Sequence, residues 1–319
     1  MTYQILVTCP HLQKTIHLYQ DKLAEKGVEI EVPPVVQQLS EAELLEIIDR
    51  FHGVIAGDDP FTAKVLEKGK KLKIVAKWGI GMDAIDLKAA ERLGIPVKNT
   101  PDVFADEVGD VALGYIILLA RQLHKMDLSV RGGGWQQIPG MTLRGKTLGV
   151  IGVGSIGRGI VRRGVAVGMS VLGYDVREIP ESVQQETGVQ PVGLEELLQG
   201  ADFVTLSCNL TPDNYHLLSY PQFEMMKNGV YVVNVARGPL IDEAALVAAL
   251  ASRKVAGAAL DVFEVEPLPG ESRLREFEQC IFGTHNGSHT RDAVLRVNEL
   301  AINNLLAGLG VEGYCKNGS

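Results

Sequence analysis

Residues 147–157 read Thr147-Leu148-Gly149-Val150-Ile151-Gly152-Val153-Gly154-Ser155-Ile156-Gly157. The first five residues form a short apolar run with β-branched side chains, which predicts a strand, and three glycines follow it in the spacing GxGxxG. This spacing lets the backbone turn tightly from a strand into a helix, whose first amides can bind a pyrophosphate. Glycines also serve plain turns, so the interpretation depends on the strand that follows.

A second glycine signature, Gly79-Ile80-Gly81-Met82-Asp83-Ala84, follows the predicted strand Lys73–Ala76. A dinucleotide site needs an acid at the end of the next strand to accept hydrogen bonds from the adenosine ribose. Asp175 follows the predicted strand Ser170–Tyr174, close to the expected spacing of about 20 residues from the glycines. The predicted strand after Gly79 ends Val97-Lys98-Asn99, which contains no acid. The predicted cofactor contacts are therefore Gly152, Gly154, Ser155, Ile156, Gly157 and Asp175. A methyltransferase could use the same elements, so this motif alone does not establish redox chemistry.

Predicted strands alternate with helical stretches along most of the chain. They are Gln4–Val7, Val28–Glu31, Gly53–Ala56, Lys73–Ala76 and Pro96–Lys98, then Thr147–Ile151, Ser170–Tyr174, Phe203–Leu206, Tyr231–Val235, Gly257–Leu260 and Cys280–Gly283. The clearest helical patterns are Glu41–Arg50 and Arg291–Leu309. This alternation predicts βαβ units and an α/β fold of two doubly wound parallel-sheet lobes.

Composition narrows the class of protein. The 319 residues, 46% of them hydrophobic, exceed what one core comfortably holds, and a net charge of -8 argues against a nucleic-acid partner. The longest apolar run, Val111–Ala120, falls short of the roughly 20 residues that cross a bilayer, and no signal peptide is visible. Cys9, Cys208, Cys280 and Cys315 show no CxxC spacing. We expect a cytoplasmic protein with ordinary thiols and no membrane partner.

Three segments each follow a predicted strand of the second lobe, at the sheet edge where ligands bind in α/β folds. They are residues 233–238 with Arg237, residues 260–267 with Glu264 and Glu266, and residues 284–290 with His285 and His289. A cation, a carboxylate and an imidazole are what oxidation of a 2-hydroxy acid requires. Taken singly, each residue is more easily interpreted as a capping, solvated or loop residue. The histidine pair lacks the glutamate of a zincin and a third ligand nearby, so no metal is predicted.

These segments, the glycine signature and the order Arg237, Glu266, His285 resemble the D-isomer-specific 2-hydroxyacid dehydrogenases, in their phosphoglycerate dehydrogenase-like branch. The resemblance extends from about Gly79 to Thr290 and includes five separated motifs in the family's order. It implies an NAD-dependent enzyme with Arg237, Glu266 and His285 as catalytic residues. It also implies a Rossmann NAD-binding domain, residues 101–289, inserted into a flavodoxin-like substrate domain, residues 1–100 and 290–319, with the active site in the cleft.

The resemblance also assigns roles to single residues. His285 would take the hydroxyl proton, Glu266 would stabilise the imidazolium, and Arg237 would bind the substrate carboxylate and polarise the carbonyl. The loop Trp78, Gly79, Ile80 and Gly81 would offer backbone amides to that carboxylate. Asp261 would contact the nicotinamide carboxamide, and further cofactor contacts are implied at Ser207, Cys208, Asn209, Val235, Ala236 and Gly287. Ser207 and Asn209 stand where the family usually has His and Pro, and Asp102 and Asp110 replace a common Gly and Glu.

The sequence favours a substrate without phosphate. Residues 57–60 read Gly57-Asp58-Asp59-Pro60, where phosphoglycerate enzymes tend to place an arginine, and Gln136-Gln137-Ile138 is also without basic residues. Lys77 alone supplies too little positive charge to bind a phosphate, and two acids facing the cleft would repel a dianion. D-3-phosphoglycerate dehydrogenase remains the alternative substrate assignment. An NAD-sensing binding or corepressor protein on the same fold is the alternative from another class.

A homodimer is also expected. Residues Val108–Leu123 suggest a helix that is apolar on nearly all faces, which is more apolar surface than one small domain readily covers. The segment Arg131–Trp135 that follows looks like the family's arm to a partner subunit. A core helix within the cofactor domain is the alternative.

Overall fold

The computed structural model describes residues 2–313, so Cys315 lies outside the described residues. Within that range the chain divides into two compact units. The first unit comprises residues 2–103 and 289–313, and the second comprises residues 104–288.

Twelve strands are present in the described range. They are β1 (Tyr3–Val7), β2 (Val28–Glu31), β3 (Gly53–Ala56), β4 (Ile74–Lys77), β5 (Val97–Lys98), β6 (Thr147–Ile151), β7 (Ser170–Tyr174), β8 (Gln190–Pro191), β9 (Phe203–Leu206), β10 (Val230–Asn234), β11 (Val255–Leu260) and β12 (Cys280–Phe282). Every predicted strand is present, and five of them, β2, β3, β6, β7 and β9, have the predicted bounds. The short edge strand β8 was not predicted, because two residues that include a proline give no alternating pattern.

The same range contains thirteen α-helices. They are α1 (Pro10–Gln13), α2 (Gln20–Glu25), α3 (Glu41–Ile47), α4 (Ala63–Lys68), α5 (Leu87–Arg92), α6 (Ala105–Arg121), α7 (Leu123–Arg131), α8 (Ser155–Ala166), α9 (Glu181–Thr187), α10 (Leu194–Gly200), α11 (Tyr220–Met225), α12 (Glu243–Ala251) and α13 (Arg291–Leu309). Short 3₁₀ segments cover Ile16–Leu18, Ile48–Arg50, Pro212–Asn214, Gly238–Leu240 and Arg273–Glu276. The predicted helix Glu41–Arg50 thus ends as a 3₁₀ turn. No helix in residues 2–313 has the length and apolar character to span a bilayer.

The first unit is built on a parallel sheet of order β2-β1-β3-β4-β5. This is the flavodoxin-like order, with the chain reversing direction across the sheet between β1 and β3. Strands β3 and β4 are buried along their whole length. Helix α13 belongs to this unit and packs on β3 and β4. It does so through the apolar stripe that its sequence predicts, formed by Val294, Val297, Ala301, Leu305 and Leu309.

The second unit is built on a seven-stranded parallel sheet of order β12-β11-β10-β9-β6-β7-β8. Strands β6 to β11 follow the doubly wound Rossmann order, with the topological switch between β6 and β9, and β12 extends the sheet. Ligands bind outside the carboxyl ends of such strands near the switch. The predicted class, two doubly wound parallel-sheet lobes, is confirmed.

Helix α6 differs from the prediction in length and in burial. It ends at Arg121 because Gln122 has a left-handed backbone, φ 55°, and α7 starts a new direction at Leu123. Six of its residues are buried within the second unit, where it packs on α8, β10 and β11. The helix therefore serves largely as core, which was the alternative interpretation.

The two departures from the family pattern near this helix have local explanations. Asp102 has φ 58°, a left-handed conformation that favours glycine but that Asp tolerates better than most residues. Asp110 accepts a hydrogen bond from Nε of Arg163 on α8 at 2.7 Å. It therefore ties α6 to the helix that follows the glycine signature.

Candidate active site

The glycine signature forms the turn between β6 and α8. Gly152 has φ 92°, and a Cβ on Gly157 would overlap the carbonyl oxygen of Gly152. The turn therefore closes only with glycine at both positions. Gly154 caps α8, and Ser155 and Ile156 start its first turn partly exposed. The first amides of a helix have no acceptor within the helix, so they fit a pyrophosphate.

Asp175 follows β7 directly and reaches back to the same turn. Its Oδ2 accepts a hydrogen bond from the Val153 amide at 2.8 Å, and its Oδ1 accepts one from the Arg177 amide at 3.1 Å. The carboxylate is partly exposed and each oxygen keeps lone-pair capacity for a ribose hydroxyl. The acid and the glycine turn are thus brought together, as a dinucleotide site requires. The residues of this unit fit NAD.

Ser207, Cys208 and Asn209 follow β9, the strand beside β6. The Ser207 hydroxyl donates to the Gly152 carbonyl at 2.7 Å, so serine stabilises the glycine turn where the family usually has histidine. Burial raises the pKa of the Cys208 thiol to about 11, with a smaller contribution from the negative charge of Asp175. The Cys208 thiol is therefore protonated at neutral pH. Asn209 is exposed, and its carbonyl accepts from the Asn214 side chain.

Arg237 lies three residues beyond β10 in a turn that one buried side chain organises. Asn234, the last residue of β10, is 1% exposed; its Oδ1 accepts from the Ala236 amide at 3.0 Å and its Nδ2 donates to the Arg237 carbonyl at 2.8 Å. Val235 and Ala236 are buried in this turn. The sequence interpretation missed Asn234, although an amide at the end of an otherwise apolar strand was a signal.

Glu266 and His285 are brought together from segments after β11 and β12. Oε2 of Glu266 lies 2.8 Å from Nδ1 of His285, and its Oε1 accepts from the Phe263 amide at 3.0 Å. The His285 and Glu266 side chains are 24% and 19% exposed, so the pair is shielded but reachable. Because Glu266 is fixed from both sides, it orients the imidazole ring.

Asp261 lies at the end of β11 and is 2% exposed. Its carboxylate accepts from the amides of Asn286 at 3.2 Å and Gly287 at 2.8 Å. Its backbone carbonyl accepts from the His285 amide at 2.7 Å. The predicted site residues Asp261, His285 and Gly287 thus form one network with a buried acid at its centre.

The loop at Trp78–Gly81 belongs to the first unit and is held by residues that the sequence analysis did not single out for it. The Gly79 amide donates to Oγ1 of Thr100 at 3.0 Å, and Nδ2 of Asn99 donates to the Ile80 carbonyl at 2.7 Å. Of the predicted amide donors, the one on Gly79 is therefore already used. The amides of Ile80 and Gly81 donate to no acceptor within residues 2–313.

The Trp78 side chain anchors this loop rather than offering itself to a ligand. It is 4% exposed, and its Nε1 donates to Oδ1 of the buried Asn298 on α13 at 2.7 Å. Its backbone amide donates to the Ala56 carbonyl at 2.9 Å, so both N–H donors of Trp78 are already used within the first unit.

The acids at residues 58 and 59 have different surroundings from those expected. Asp59 is fully buried; its carboxylate accepts from the Thr8 hydroxyl and from the amides of Gly57 and Leu39. It is a structural acceptor for the loop, so the expectation that both acids face a cleft was wrong. Asp58 pairs with the buried Lys77 at 3.0 Å. The positive charge of Lys77 is therefore already balanced by a carboxylate.

One group of three potential metal ligands lies elsewhere in the described range, and it does not include His285 or His289. Nε2 of His216 lies 2.8 Å from Oε1 of Glu264, and Asp242 lies beside the same ring. The Glu264 amide also donates to Glu243 at 2.8 Å. These contacts tether the segment that leads to Glu266, which gives the group a structural role.

Comparison with known proteins places this geometry in a family. Residues 113–287 match the model described as "D-isomer specific 2-hydroxyacid dehydrogenase, NAD binding domain". The hydroxypyruvate reductase of Thermotoga maritima is 35% identical over 280 residues, which are 86% of this chain and 90% of that protein. The D-3-phosphoglycerate dehydrogenase of Methanocaldococcus jannaschii is 40% identical over 294 residues, 91% of this chain but 54% of that protein. This chain therefore spans about half the length of that relative.

A solved structure gives the same result. The D-lactate dehydrogenase of Aquifex aeolicus, crystallised with NAD and lactic acid, superposes with a TM-score of 0.85 at 26% identity, over 96% of this chain and 95% of that one. The chain belongs to the D-isomer-specific 2-hydroxyacid dehydrogenase family. The predicted family, fold and NAD cofactor are confirmed.

Proposed function

We propose that this protein interconverts a D-2-hydroxy acid and its 2-oxo acid with NAD as the redox partner. The observation that carries the proposal is the Glu266–His285 contact of 2.8 Å, set at the carboxyl edge of the sheet that holds the glycine turn. The family match over residues 113–287 argues against the methyltransferase alternative. NAD, when bound, accepts the hydride in oxidation and supplies it in reduction.

The protons are handled by this chain. Because Nδ1 of His285 faces Glu266, a proton exchanged with the substrate passes through Nε2. His285 accepts the hydroxyl proton during oxidation and returns it to the carbonyl oxygen during reduction. Glu266 keeps the ring oriented and stabilises its protonated form. Arg237 binds the substrate carboxylate and stabilises the charge that develops on the carbonyl oxygen. In the first unit, the amides of Ile80 and Gly81 are the proposed further donors to that carboxylate.

The proposed substrate carries no phosphate. A phosphate dianion needs arginine forks or several positive charges, and Lys77 is paired with Asp58 and only 3% exposed. D-3-phosphoglycerate is the second candidate substrate, because a relative with that name is 40% identical.

Catalytic efficiency on hydroxypyruvate, glyoxylate and 3-phosphohydroxypyruvate tests both the reaction and the substrate. We expect NADH-dependent reduction of the first two, at least about tenfold more efficient than that of the phosphorylated acid, since one lost charged hydrogen bond accounts for such a factor. Turnover that clearly favours the phosphorylated acid would show that the second candidate is right. If no 2-oxo acid is reduced, the proposed reaction is wrong.

We further propose a homodimer that uses the α7 segment and the residues after it. Leu128, Val130 and Trp135 are 66%, 52% and 84% exposed, which is unusual for large apolar side chains close together in sequence. Light scattering at micromolar concentration should give twice the 34.5 kDa of one chain. Trp135→Glu should lower that mass, and a wild-type monomer would contradict the proposal.

We propose a cytoplasmic location, because the described cysteines form no disulfide. Cys9, Cys208 and Cys280 are free thiols, as expected in a reducing compartment.

A further inference from the structure

The catalytic histidine has an unusual backbone conformation. His285 has φ 52°, in the left-handed region that residues other than glycine rarely adopt. Such a conformation persists only where the surroundings hold it. What holds it therefore contributes to the placement of the imidazole.

Asp261 holds three consecutive amides of this segment. Its backbone carbonyl accepts from the His285 amide at 2.7 Å, its Oδ1 from the Asn286 amide at 3.2 Å, and its Oδ2 from the Gly287 amide at 2.8 Å. A single residue at the end of β11 thus fixes the turn that carries the catalytic base. The orientation of its carboxylate decides whether two of these bonds form.

Tyr115, on α6, is a further donor to that carboxylate. Its hydroxyl donates to Oδ1 of Asp261 at 3.2 Å. Burial, and then the negative charge of Asp261, raise the pKa of Tyr115 far above its usual value, so the hydroxyl stays a donor throughout the neutral range. A Cβ on Gly283 would overlap both Oδ1 of Asp261 and the Tyr115 oxygen. The two side chains are therefore closely enclosed.

We propose that Tyr115 is a positioning residue for the proposed reaction, acting through Asp261 to hold His285 in its left-handed conformation and in contact with Glu266. It does not touch substrate or reacting atoms. This role rests on the proposed function and adds a residue outside the three predicted catalytic positions. Without the hydroxyl, the Asp261 carboxylate loses one of its donors and can rotate, and the segment of residues 285–287 loosens.

The test compares Tyr115→Phe with Tyr231→Phe. Tyr231 is a buried tyrosine of the same unit that stacks on Phe203 at 5.0 Å, so it controls for the loss of a tyrosine hydroxyl. We expect Tyr115→Phe to lower kcat about tenfold. The KM for NADH should change by a smaller factor, although Asp261 is also the implied contact of the nicotinamide carboxamide. The primary deuterium isotope effect with labelled NADH should rise, because hydride and proton transfer become slower than product release. Equal kcat values and isotope effects in the two variants would overturn the proposal.

A readout without turnover separates this inference from the proposed function. Nitrogen-15 NMR of the histidine rings should show a hydrogen-bonded Nδ1 proton that disappears in His285→Ala. We expect Tyr115→Phe to broaden or shift that signal and Tyr231→Phe to leave it unchanged. An unchanged signal in Tyr115→Phe contradicts the positioning role even if wild-type protein is active. A changed signal in a protein that reduces no 2-oxo acid supports the positioning of His285 while the proposed reaction fails.

Discussion

His285→Ala is expected to lower kcat about a thousandfold, because the variant has no group to exchange a proton with the substrate oxygen. NADH binding should be unchanged within about threefold, since the glycine turn and Asp175 are untouched. Stopped-flow fluorescence of bound NADH and steady-state kinetics on the best 2-oxo acid measure the two quantities separately.

Two comparisons make this result specific. His17→Ala removes an exposed histidine outside the proposed site and should leave kcat unchanged. Glu266→Ala should lower kcat strongly in wild-type protein and very little in the His285→Ala background, because Glu266 acts through the imidazole. If the two losses multiplied in the double variant, or if His285→Ala kept near-normal turnover, the assigned roles would be wrong.

Asp175→Ala is expected to raise the KM for NADH by about tenfold or more and to reduce the preference for NAD over NADP by a similar factor. The carboxylate accepts from the ribose hydroxyls and repels a 2′-phosphate, and a hydrogen bond to a charged acceptor accounts for a change of this size. Part of the loss in affinity will come from the glycine turn, because Asp175 also holds the Val153 amide.

The matched control is Asp175→Asn, which keeps an acceptor oxygen but removes the charge. It should hold the turn better than alanine while also improving use of NADPH relative to NADH. Equal or greater efficiency with NADPH in the unmutated protein would contradict the role of Asp175. Arg177, exposed two residues along the chain, is the residue to vary next in that case.

The sequence predicted the features that depend on local pattern. The strand Ser170–Tyr174 and the helix Arg291–Leu309 have the predicted bounds, because apolar period and turn residues define them without reference to the rest of the chain. The contact between Glu266 and His285 was also predictable, since both follow adjacent strands of a parallel sheet, whose carboxyl ends share one edge.

Features that depend on contacts distant in sequence were missed or misjudged. Asp59 was expected to face a ligand, but its carboxylate oxygens accept hydrogen bonds from the Thr8 hydroxyl and the Leu39 amide. No local sequence pattern associates these residues with Asp59. Thr100, which follows β5, accepts the hydrogen bond of the Gly79 amide, although the two residues are far apart in sequence. Tyr115 looked like one more apolar residue of α6, and only the fold shows its hydroxyl at Asp261 across 146 positions of sequence.

Oxidation of the two enantiomers of a 2-hydroxy acid tests the central claim most directly. With NAD present, separate assays on D-glycerate and L-glycerate, and on D-lactate and L-lactate, follow the rise of the nicotinamide absorbance. We predict that NADH forms with at least one D-acid and that the matching L-acid gives at least about a hundredfold lower rate, because Arg237 and His285 fix the carboxylate and the hydroxyl and only one face of C2 then meets the cofactor. NADH formation that is equal for both enantiomers, faster with the L-acid, or absent from all four acids would contradict the account.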